Sequence, residues 1–436
     1  MLGVCVVISK SAILILCLFF LLSFGLPLVM MSRTVSLPLE PVDFFYMIGR
    51  YFGLVAYFVL LFQYVWTAKF RFYERLMSFD RRVAFHRTLG FLGILTVSLH
   101  PILILGTYAA EQIPLIVTPP LAYGFGSFLI LLLIAGSTFL GRIWGVRYEA
   151  WKYMHWFTFA VITLAFFHSF RLGSDMFGFF RYFWLALWIL HAATIALKII
   201  HKAVRWSKSF EVREVREERR GVFSLIMEKP EAAYLPGQFG FLSARLNGKW
   251  QIWHPFSLTS TDDEDFLSMT IKALGDFTNR IEEIQKGDRV KLDVAYGGFC
   301  TELVKDERYI MIAGGVGITP IYAMCKRLKT LKNPPEVNLF YSVHHESEIL
   351  FREDLDSWFE SIPNWKLFYI VTSQPDWKGV TGRLTPDKVE SLLQEDLSGT
   401  FFLCGPLALI RATRKFLIAK GIPKRKIREE QFVFLP

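Results

Sequence analysis

The chain has 436 residues, of which 53% are hydrophobic, including 42 Phe and 12 Trp, and its formal net charge is +10. Residues 1–200 contain most of the apolar excess and hold 15 Lys and Arg against 7 Asp and Glu. This distribution predicts a membrane half joined to a soluble half, and it gives no reason to expect a nucleic-acid partner. The five Cys include no CxxC pair, so neither disulfides nor a zinc site is indicated.

The first half contains six apolar runs that are long enough to cross a bilayer. We predict six transmembrane helices near residues 11–31, 42–66, 83–105, 121–141, 153–170 and 179–199. Lys and Arg crowd the second and fourth connections, whereas the third connection, around Glu111, has none. The positive-inside rule therefore places the amino terminus and everything after Lys198 in the cytoplasm. A cleaved signal peptide is the alternative for the first run, although the run is long for one.

Four histidines fall within these runs as two matched pairs. His86 and His100 lie 14 residues apart in the third run, and His155 and His168 lie 13 residues apart in the fifth. At about 1.5 Å per residue, each step covers about 20 Å of a hydrocarbon core about 30 Å thick. Ionisable side chains at this depth are costly and are usually functional. We predict two bis-histidine haem irons, an inner one between His86 and His155 and an outer one between His100 and His168.

The two spacings are not equivalent on a helix. Fourteen residues nearly complete four turns, whereas thirteen fall about 140° short of them. The fifth helix should therefore be tightened between its two histidines, or its two haems should be approached from different sides.

Three other ionisable residues of the membrane half need an interpretation. Arg50 lies near the external side of the second helix and needs a partner there. An ion pair with a propionate of the outer haem is the favoured interpretation, and snorkelling to the external headgroups is the alternative. His191 and His201 have no spaced partner, so we expect them to be structural.

The soluble half begins in the densely charged stretch from Lys202 to Arg220. Short β-type runs with turn signals follow and predict a small antiparallel barrel. After Asp306, strands alternate with helices, which is typical of a doubly wound α/β domain. The glycine-rich segment from Gly314 to Pro320 lies between a strand and a helix, where backbone amides and the helix amino terminus suit a pyrophosphate.

The motifs of the soluble half carry a family resemblance. His254-Pro255-Phe256-Ser257-Leu258-Thr259-Ser260, the Gly314 loop and the Cys404-Gly405-Pro406 segment resemble those of NADPH oxidases and ferric-chelate reductases, including prokaryotic members. The resemblance covers nearly the whole chain. It implies an all-α six-helix transmembrane haem bundle in residues 1–205, a β-barrel FAD-binding domain in 206–304 and an α/β NAD(P)H-binding domain in 305–436.

The resemblance also implies the residues that hold each cofactor. FAD would be held by His254, Pro255, Phe256, Ser257 and Thr259, and by Lys272, Gly275, Phe277 and Thr278 of a second segment. A terminal aromatic residue, Phe432 or Phe434, would cover the flavin. NAD(P)H would be held by Gly314, Gly315, Gly317, Thr319, Pro320, Ser342, His344, Cys404, Gly405 and Pro406.

The activity implied is electron transfer from cytoplasmic NAD(P)H through FAD and two b-type haems to an external acceptor. We expect a multi-pass plasma-membrane enzyme that reduces dioxygen to superoxide and needs no obligatory cytosolic activator. A ferric chelate is the main alternative acceptor, and a quinone or protein acceptor is another. An anchored flavin reductase without haem is the alternative of a different class. Relatives that prefer NADPH carry an Arg where this chain has Tyr341 to His345, so the choice between NADPH and NADH stays open.

Overall fold

The computed structural model describes residues 10–32, 40–68, 73, 76–77, 79–141, 143–146 and 148–430. The described residues form two compact units. The boundary between these units lies between Ala203 and Val204, two residues before the boundary predicted after residue 205. Phe432 and Phe434, the two candidates for the flavin-covering aromatic, lie outside the described residues.

The membrane unit is helical. Its described helices are α1 (Lys10–Phe20), α2 (Leu26–Met31), α3 (Pro41–Trp66), α4 (Phe79–Ala110), α5 (Pro119–Leu140), α6 (Tyr148–Trp156), α7 (Thr158–Leu172) and α8 (Gly178–Ser207), and a π-helical turn, Leu21–Gly25, joins the first two. Within the described residues, five helical segments are long and apolar enough to cross a membrane: Ser11–Met31, Pro41–Trp66, Arg81–Ala110, Pro119–Leu140 and Gly178–Val204.

The predicted span at 153–170 is not a continuous helix, so the count of six long spans is not confirmed within the described residues. It is divided at Phe157, and α7 has only 15 residues. The Phe157 N–H donates to the Met154 carbonyl at 3.0 Å, a three-residue step that winds the backbone more tightly than an α-helix does. This turn tightens the backbone in the predicted direction, but at about 20° more per residue it supplies only part of the 140° that the 13-residue spacing lacks.

The outward faces of these helices carry large apolar side chains. Leu129 and Leu133 of α5 are 60% and 59% exposed, a pattern that suits contact with lipid and not with water. The inward faces pack around Trp184, which is fully buried and donates from Nε1 to Ser169 Oγ at 2.8 Å. This bond satisfies the indole N–H where water has no access.

Arg82 fixes the beginning of α4 against the end of α3. Its side chain is fully buried and donates to the carbonyls of Met77, Trp66 and Ala68 at 3.0, 3.1 and 2.8 Å. Carbonyls at a helix carboxyl terminus lack partners within their own helix, and a cation satisfies them well. Arg82 therefore has a structural role as well as adding to the positive charge of its connection.

The first part of the second unit is a closed antiparallel barrel, as predicted. Its strands are β1 (Phe210–Arg219), β2 (Val222–Glu228), β3 (Phe239–Leu246), β4 (Lys249–Trp250), β5 (His254–Ser257), β6 (Phe266–Lys272) and β7 (Arg289–Tyr296). They are ordered β4-β3-β7-β1-β2-β6, and β5 pairs with β3. A bridge between Leu258 and Met269 joins the end of β5 to β6 and closes the sheet.

The second part is a parallel sheet with the doubly wound order that the sequence predicts. Its strands are β8 (Arg308–Gly314), β9 (Glu336–Val343), β10 (Trp365–Val371), β11 (Val380–Thr381), β12 (Thr400–Cys404) and β13 (Ile427–Glu430), and its helices are α9 (Ile318–Leu328), α10 (Arg352–Ser361), α11 (Pro386–Leu392) and α12 (Leu407–Ala419). The strand order is β11-β10-β9-β8-β12-β13. The winding direction changes between β8 and β12, where such sheets bind their ligands.

Candidate functional site

The structure brings the four membrane histidines together in the predicted pairs. The ring centroids of His86 and His155 are 5.8 Å apart, and those of His100 and His168 are 6.1 Å apart. A metal held between two imidazoles, with bonds of about 2 Å and about 1 Å more from each nitrogen to its ring centre, requires about 6 Å. Both pairs therefore have the separation that a haem iron would need.

The outer pair is oriented by backbone carbonyls. His100 Nδ1 lies 2.8 Å from the Gly49 carbonyl oxygen, and His168 Nδ1 lies 3.0 Å from the Pro120 carbonyl oxygen. A carbonyl can only accept, so each Nδ1 carries the proton and each Nε2 keeps its lone pair. This is the tautomer that a metal ligand needs.

The inner pair has a different environment. Nδ1 of His86 and Nδ1 of His155 are buried and have no hydrogen-bond partner among the described residues. Another cation of the bundle, Lys198 of α8, is held by Tyr64 of α3. Its Nζ donates to the Tyr64 carbonyl at 3.2 Å and lies 3.8 Å from the centre of the Tyr64 ring. No spacing pattern in the sequence marks this lysine, because its partner lies on another helix.

His191 is a buried structural histidine, as expected. Its Nε2 lies 3.2 Å from Thr163 Oγ1, and its ring meets the edge of Tyr64 at 5.4 Å.

Arg50 has a protein partner that the sequence analysis missed. Its guanidinium is paired with both carboxylate oxygens of Asp175, which follows α7 and is only 2% exposed. Neither predicted interpretation, a haem propionate or the headgroups, included this carboxylate. Sequence spacing does not reveal this pair, because 125 residues separate the two side chains and the packing of the helices brings them together.

The two predicted FAD segments meet through a ring stack. His254 of β5 and Phe277 lie with ring centroids 4.3 Å apart and planes 5° from parallel, and Phe256 lies 6.2 Å from Phe277. Pro255 lies between the two β5 aromatic rings in sequence, and Lys272 ends β6. One face of the barrel thus presents the two segments side by side.

Two hydroxyls of these segments differ in what they can offer a flavin. Ser257 Oγ is buried and has no hydrogen-bond partner among the described residues, so it fits a polar ligand atom. Thr259 instead lies inside the barrel with Oγ1 2.8 Å from Ser268 Oγ, which assigns it a supporting role. Thr278 Oγ1 accepts from the amides of Leu274 and Gly275, each at 2.9 Å, and so holds the second segment in its turn.

The predicted nucleotide loop and the Cys404 segment interlock at the switch point of the sheet. A Cβ on Gly317 would lie 2.4 Å from the Cys404 carbonyl oxygen, and one on Gly314 would lie 2.5 Å from Pro406 Cδ. Gly405, at φ +152°, has its own Cβ position 2.8 Å from the Gly314 nitrogen. Glycine is required because the two backbones touch.

The other predicted nucleotide residues lie at or next to this edge. Ser342 pairs with Gly314 across β8 and β9, and His344 Nδ1 is 3.0 Å from Thr372 Oγ1. Thr319 Oγ1 donates to the Val316 carbonyl at 3.0 Å, so it stabilises the loop that also contains Gly315. Pro320 is buried in the first turn of α9.

Cys404 is fully buried at the end of β12. Burial raises the pKa of its thiol well above the ordinary value, and the Glu430 carboxylate raises that pKa further. Both causes favour the protonated thiol, which is a poorer nucleophile than the thiolate. Glu430 itself, at the end of β13, lies within 4.0 Å of the Cβ position of Gly297 in the barrel domain, so it sits where the barrel and the nucleotide-binding sheet meet.

Known protein families match the membrane domain, the barrel domain and the nucleotide-binding domain of this chain. Residues 52–166 match the ferric reductase like transmembrane component, residues 207–295 match an FAD-binding domain, and residues 311–415 match the oxidoreductase NAD-binding domain. The chain belongs to the NADPH oxidase and ferric reductase family. It is an oxidoreductase that combines FAD- and NAD(P)H-binding domains of the ferredoxin-reductase type with a membrane electron-transfer domain.

Individual relatives match the reductase part. NADH-cytochrome b5 reductase 1 of Scheffersomyces stipitis is 31% identical over 211 residues, which are 45% of this chain and 73% of that protein. Flavohemoprotein A of Dictyostelium discoideum is 28% identical over 249 residues, 52% of this chain and 61% of that protein. A crystal structure of a ferredoxin NADP+ reductase from Neisseria gonorrhoeae with bound FAD and NADP is similar to this chain, with a TM-score of 0.47 at 21% identity. The match covers 52% of this chain and 98% of that one.

Among the described residues, no group of three or more His, Cys, Asp and Glu side chains could hold a metal ion.

The Arg50–Asp175 pair yields a stability prediction. Asp175→Asn should destabilise the membrane unit by about 3–5 kcal/mol, because a largely buried guanidinium loses its counter-charge. The double variant Arg50→Leu with Asp175→Leu should recover much of that loss, since neither charge is then left alone. Thermal unfolding of the detergent-purified protein measures both effects when it is followed in the wild type, Asp175→Asn, Asp175→Leu, Arg50→Leu and the double variant. Additive losses in the double variant would contradict the coupling.

Proposed function

We propose that this family member carries electrons from NAD(P)H through FAD and two b-type haems to an acceptor outside the cell. The observation that supports the proposal best is the approach of both predicted histidine pairs to the separation that one iron requires. The positive-inside rule supports a plasma-membrane orientation with the amino terminus and the FAD and NAD(P)H domains in the cytoplasm.

Different residues would hold each of the cofactors that carry the electrons. When bound, FAD converts the two electrons of a hydride donor into single electrons that haem iron can carry. His86 and His155 would hold the inner haem, and His100 and His168 the outer one. Ser257 offers its unpartnered hydroxyl to the flavin.

We propose dioxygen as the acceptor, with superoxide as the product. With two histidines bound to each iron, no coordination position would be free for an acceptor, which would then receive its electron without binding the metal. A small acceptor that needs no docking site fits this arrangement. Because electrons would arrive one at a time, dioxygen would take up one electron and leave as superoxide.

A ferric chelate is the second candidate, and the structure contains an observation in its favour. An unpaired Arg50 would attract and stabilise a newly formed superoxide anion near the outer site. Asp175 pairs with Arg50 and offsets its charge. The position of Arg50 near the external side is therefore weaker support for superoxide formation than it would be without this ion pair.

The region after β9 favours NADH over NADPH as the donor. The 2′-hydroxyl or 2′-phosphate of a dinucleotide lies at the end of the second strand of such domains. Here the next charged residues are Glu346 and Glu348, and Arg352 is paired with Glu346 and with Asp356. Carboxylates accept from a ribose hydroxyl and repel a phosphate.

Haem ligation can be tested by removing one outer ligand. His100→Ala should eliminate the outer haem and leave the inner haem and FAD in place, because the inner pair uses neither His100 nor His168. Pyridine haemochrome analysis together with FAD content measures the loss. His191→Ala is the matched control, since this buried histidine bonds Thr163 and should be dispensable for both haems. Two haems retained in His100→Ala, or at most one haem in the wild type, would refute the assignment, and no haem at all would support the anchored flavin reductase.

The acceptor can be identified with purified enzyme supplied with NADH and FAD. We expect cytochrome c reduction in air that superoxide dismutase abolishes, because cytochrome c then reports released superoxide. Reduction that persists with dismutase, together with rapid anaerobic reduction of ferric chelates, would replace the oxidase assignment with that of a ferric reductase.

Donor choice can be tested at the acidic loop. We expect kcat/KM for NADH to exceed that for NADPH by roughly tenfold, about 1.4 kcal/mol. Glu346→Gln should narrow this ratio, because it removes a repulsive charge and releases Arg352 from one partner. Glu360→Gln, an exposed carboxylate of α10, is the control and should leave the ratio unchanged. A wild-type preference for NADPH would overturn the inference.

A further inference from the structure

The two outer histidines are bound in the same way by two different helices. His100 reaches the carbonyl of Gly49 on α3, and the residue four positions further along α3 is Gly53. His168 reaches the carbonyl of Pro120 on α5, and the residue four positions further along α5 is Gly124. The repetition on unrelated segments points to a shared geometric requirement.

Helix geometry explains why a glycine is needed at that position. Each Cα–Cβ bond in an α-helix tilts toward the amino terminus, so a side chain covers the turn that precedes it. A side chain at position 53 or 124 would therefore cover the carbonyl four residues earlier. A carbonyl oxygen has two lone pairs, and with glycine one of them stays open to a side chain from outside the helix.

The distances show that the imidazoles occupy the space of the missing side chains. A Cβ on Gly53 would lie 2.8 Å from His100 Nδ1 and 3.0 Å from its Cε1. A Cβ on Gly124 would lie 2.6 Å from His168 Nδ1 and 2.8 Å from its Cε1. Such approaches are too short for carbon, so the ring would have to leave its carbonyl.

The inner pair lacks this arrangement. Nδ1 of His86 and Nδ1 of His155 have no partner among the described residues, as noted above. Among the glycines of the described residues, only Gly53 and Gly124 have an imidazole atom among the nearest neighbours of their Cβ positions. The feature therefore distinguishes the outer site from the inner one.

We propose that Gly53 and Gly124 are positioning residues of the outer haem site. Each opens the carbonyl one turn before it, and that carbonyl fixes the facing histidine as the Nδ1–H tautomer with Nε2 available to iron. This inference rests on the proposed two-haem function, and it assigns to these glycines a role that concerns one haem only.

The test uses Gly53→Ala and Gly124→Ala in the full-length protein, purified with its haem and FAD. Each substitution should halve the haem-to-FAD ratio or displace one of two low-spin haem signals in low-temperature electron paramagnetic resonance, and leave the other signal unchanged. The affected signal should be the one that His100→Ala removes and not the one that His86→Ala removes. The two glycine variants combined should affect no additional haem, because they serve the same iron.

Control glycines are available on α5, the helix of Gly124, and on α4, the helix of His100. Gly126→Ala on α5 would meet only Leu164 Cδ1 at 3.9 Å, and Gly106→Ala on α4 would meet nothing within 4 Å. Both controls should keep both signals. The proposal is overturned if Gly53→Ala and Gly124→Ala keep both signals unaltered, if they lose both haems together, or if Gly126→Ala causes the same loss. A wild type with fewer than two haems would instead overturn the proposed function, which separates the two failures.

Discussion

The need to give a buried imidazole proton an acceptor governs the surroundings of His100 and His168. A neutral imidazole carries one proton, and an acceptor beside Nδ1 keeps that proton on Nδ1 and leaves Nε2 available to a metal. Inside an apolar bundle, the main acceptors are helix carbonyls that already accept a bond within their own helix. A second bond requires open space beside the carbonyl, and Gly53 and Gly124 provide it for His100 and His168.

The soluble half uses the absence of a Cβ for a different purpose. At the switch point, Gly314, Gly317 and Gly405 allow the ends of β8 and β12 to touch through their backbones. This contact places the start of α9 beside the Cys404 segment, where backbone amides can meet a dinucleotide. In the membrane half, the missing Cβ leaves room for a histidine side chain to reach a backbone carbonyl. In the soluble half, it leaves room for two backbone segments to contact each other.

Charges in the membrane half are bound by protein groups. Arg82 donates to three backbone carbonyls, Lys198 donates to the Tyr64 carbonyl, and Arg50 pairs with Asp175. A charge in an apolar environment is stable only with such partners. None of these three cations is therefore left without a protein partner in the membrane unit.

Sequence periodicity and spacing determined the architecture, the histidine pairs and the ligand-binding edge of the α/β domain. These features follow from local rules: apolar length marks a span, a 14-residue step returns to one helix face, and a glycine loop after a strand marks the switch point. The tighter turn at Phe157 has the direction that the 13-residue step predicts, but not its full extent.

Only the tertiary structure decided which partners the functional side chains have. Asp175 lies 125 residues from Arg50, and Gly53 and Gly124 lie on helices other than those of His100 and His168. Similarly, the hydroxyl of Thr259 lies inside the barrel, where it forms a hydrogen bond with the hydroxyl of Ser268 on a neighbouring strand. Such contacts depend on how helices and strands pack, and packing joins residues whose separation along the chain carries no periodic signal. The sequence determined which residues are chemically capable, and the packing of the helices and strands determined what each of them touches.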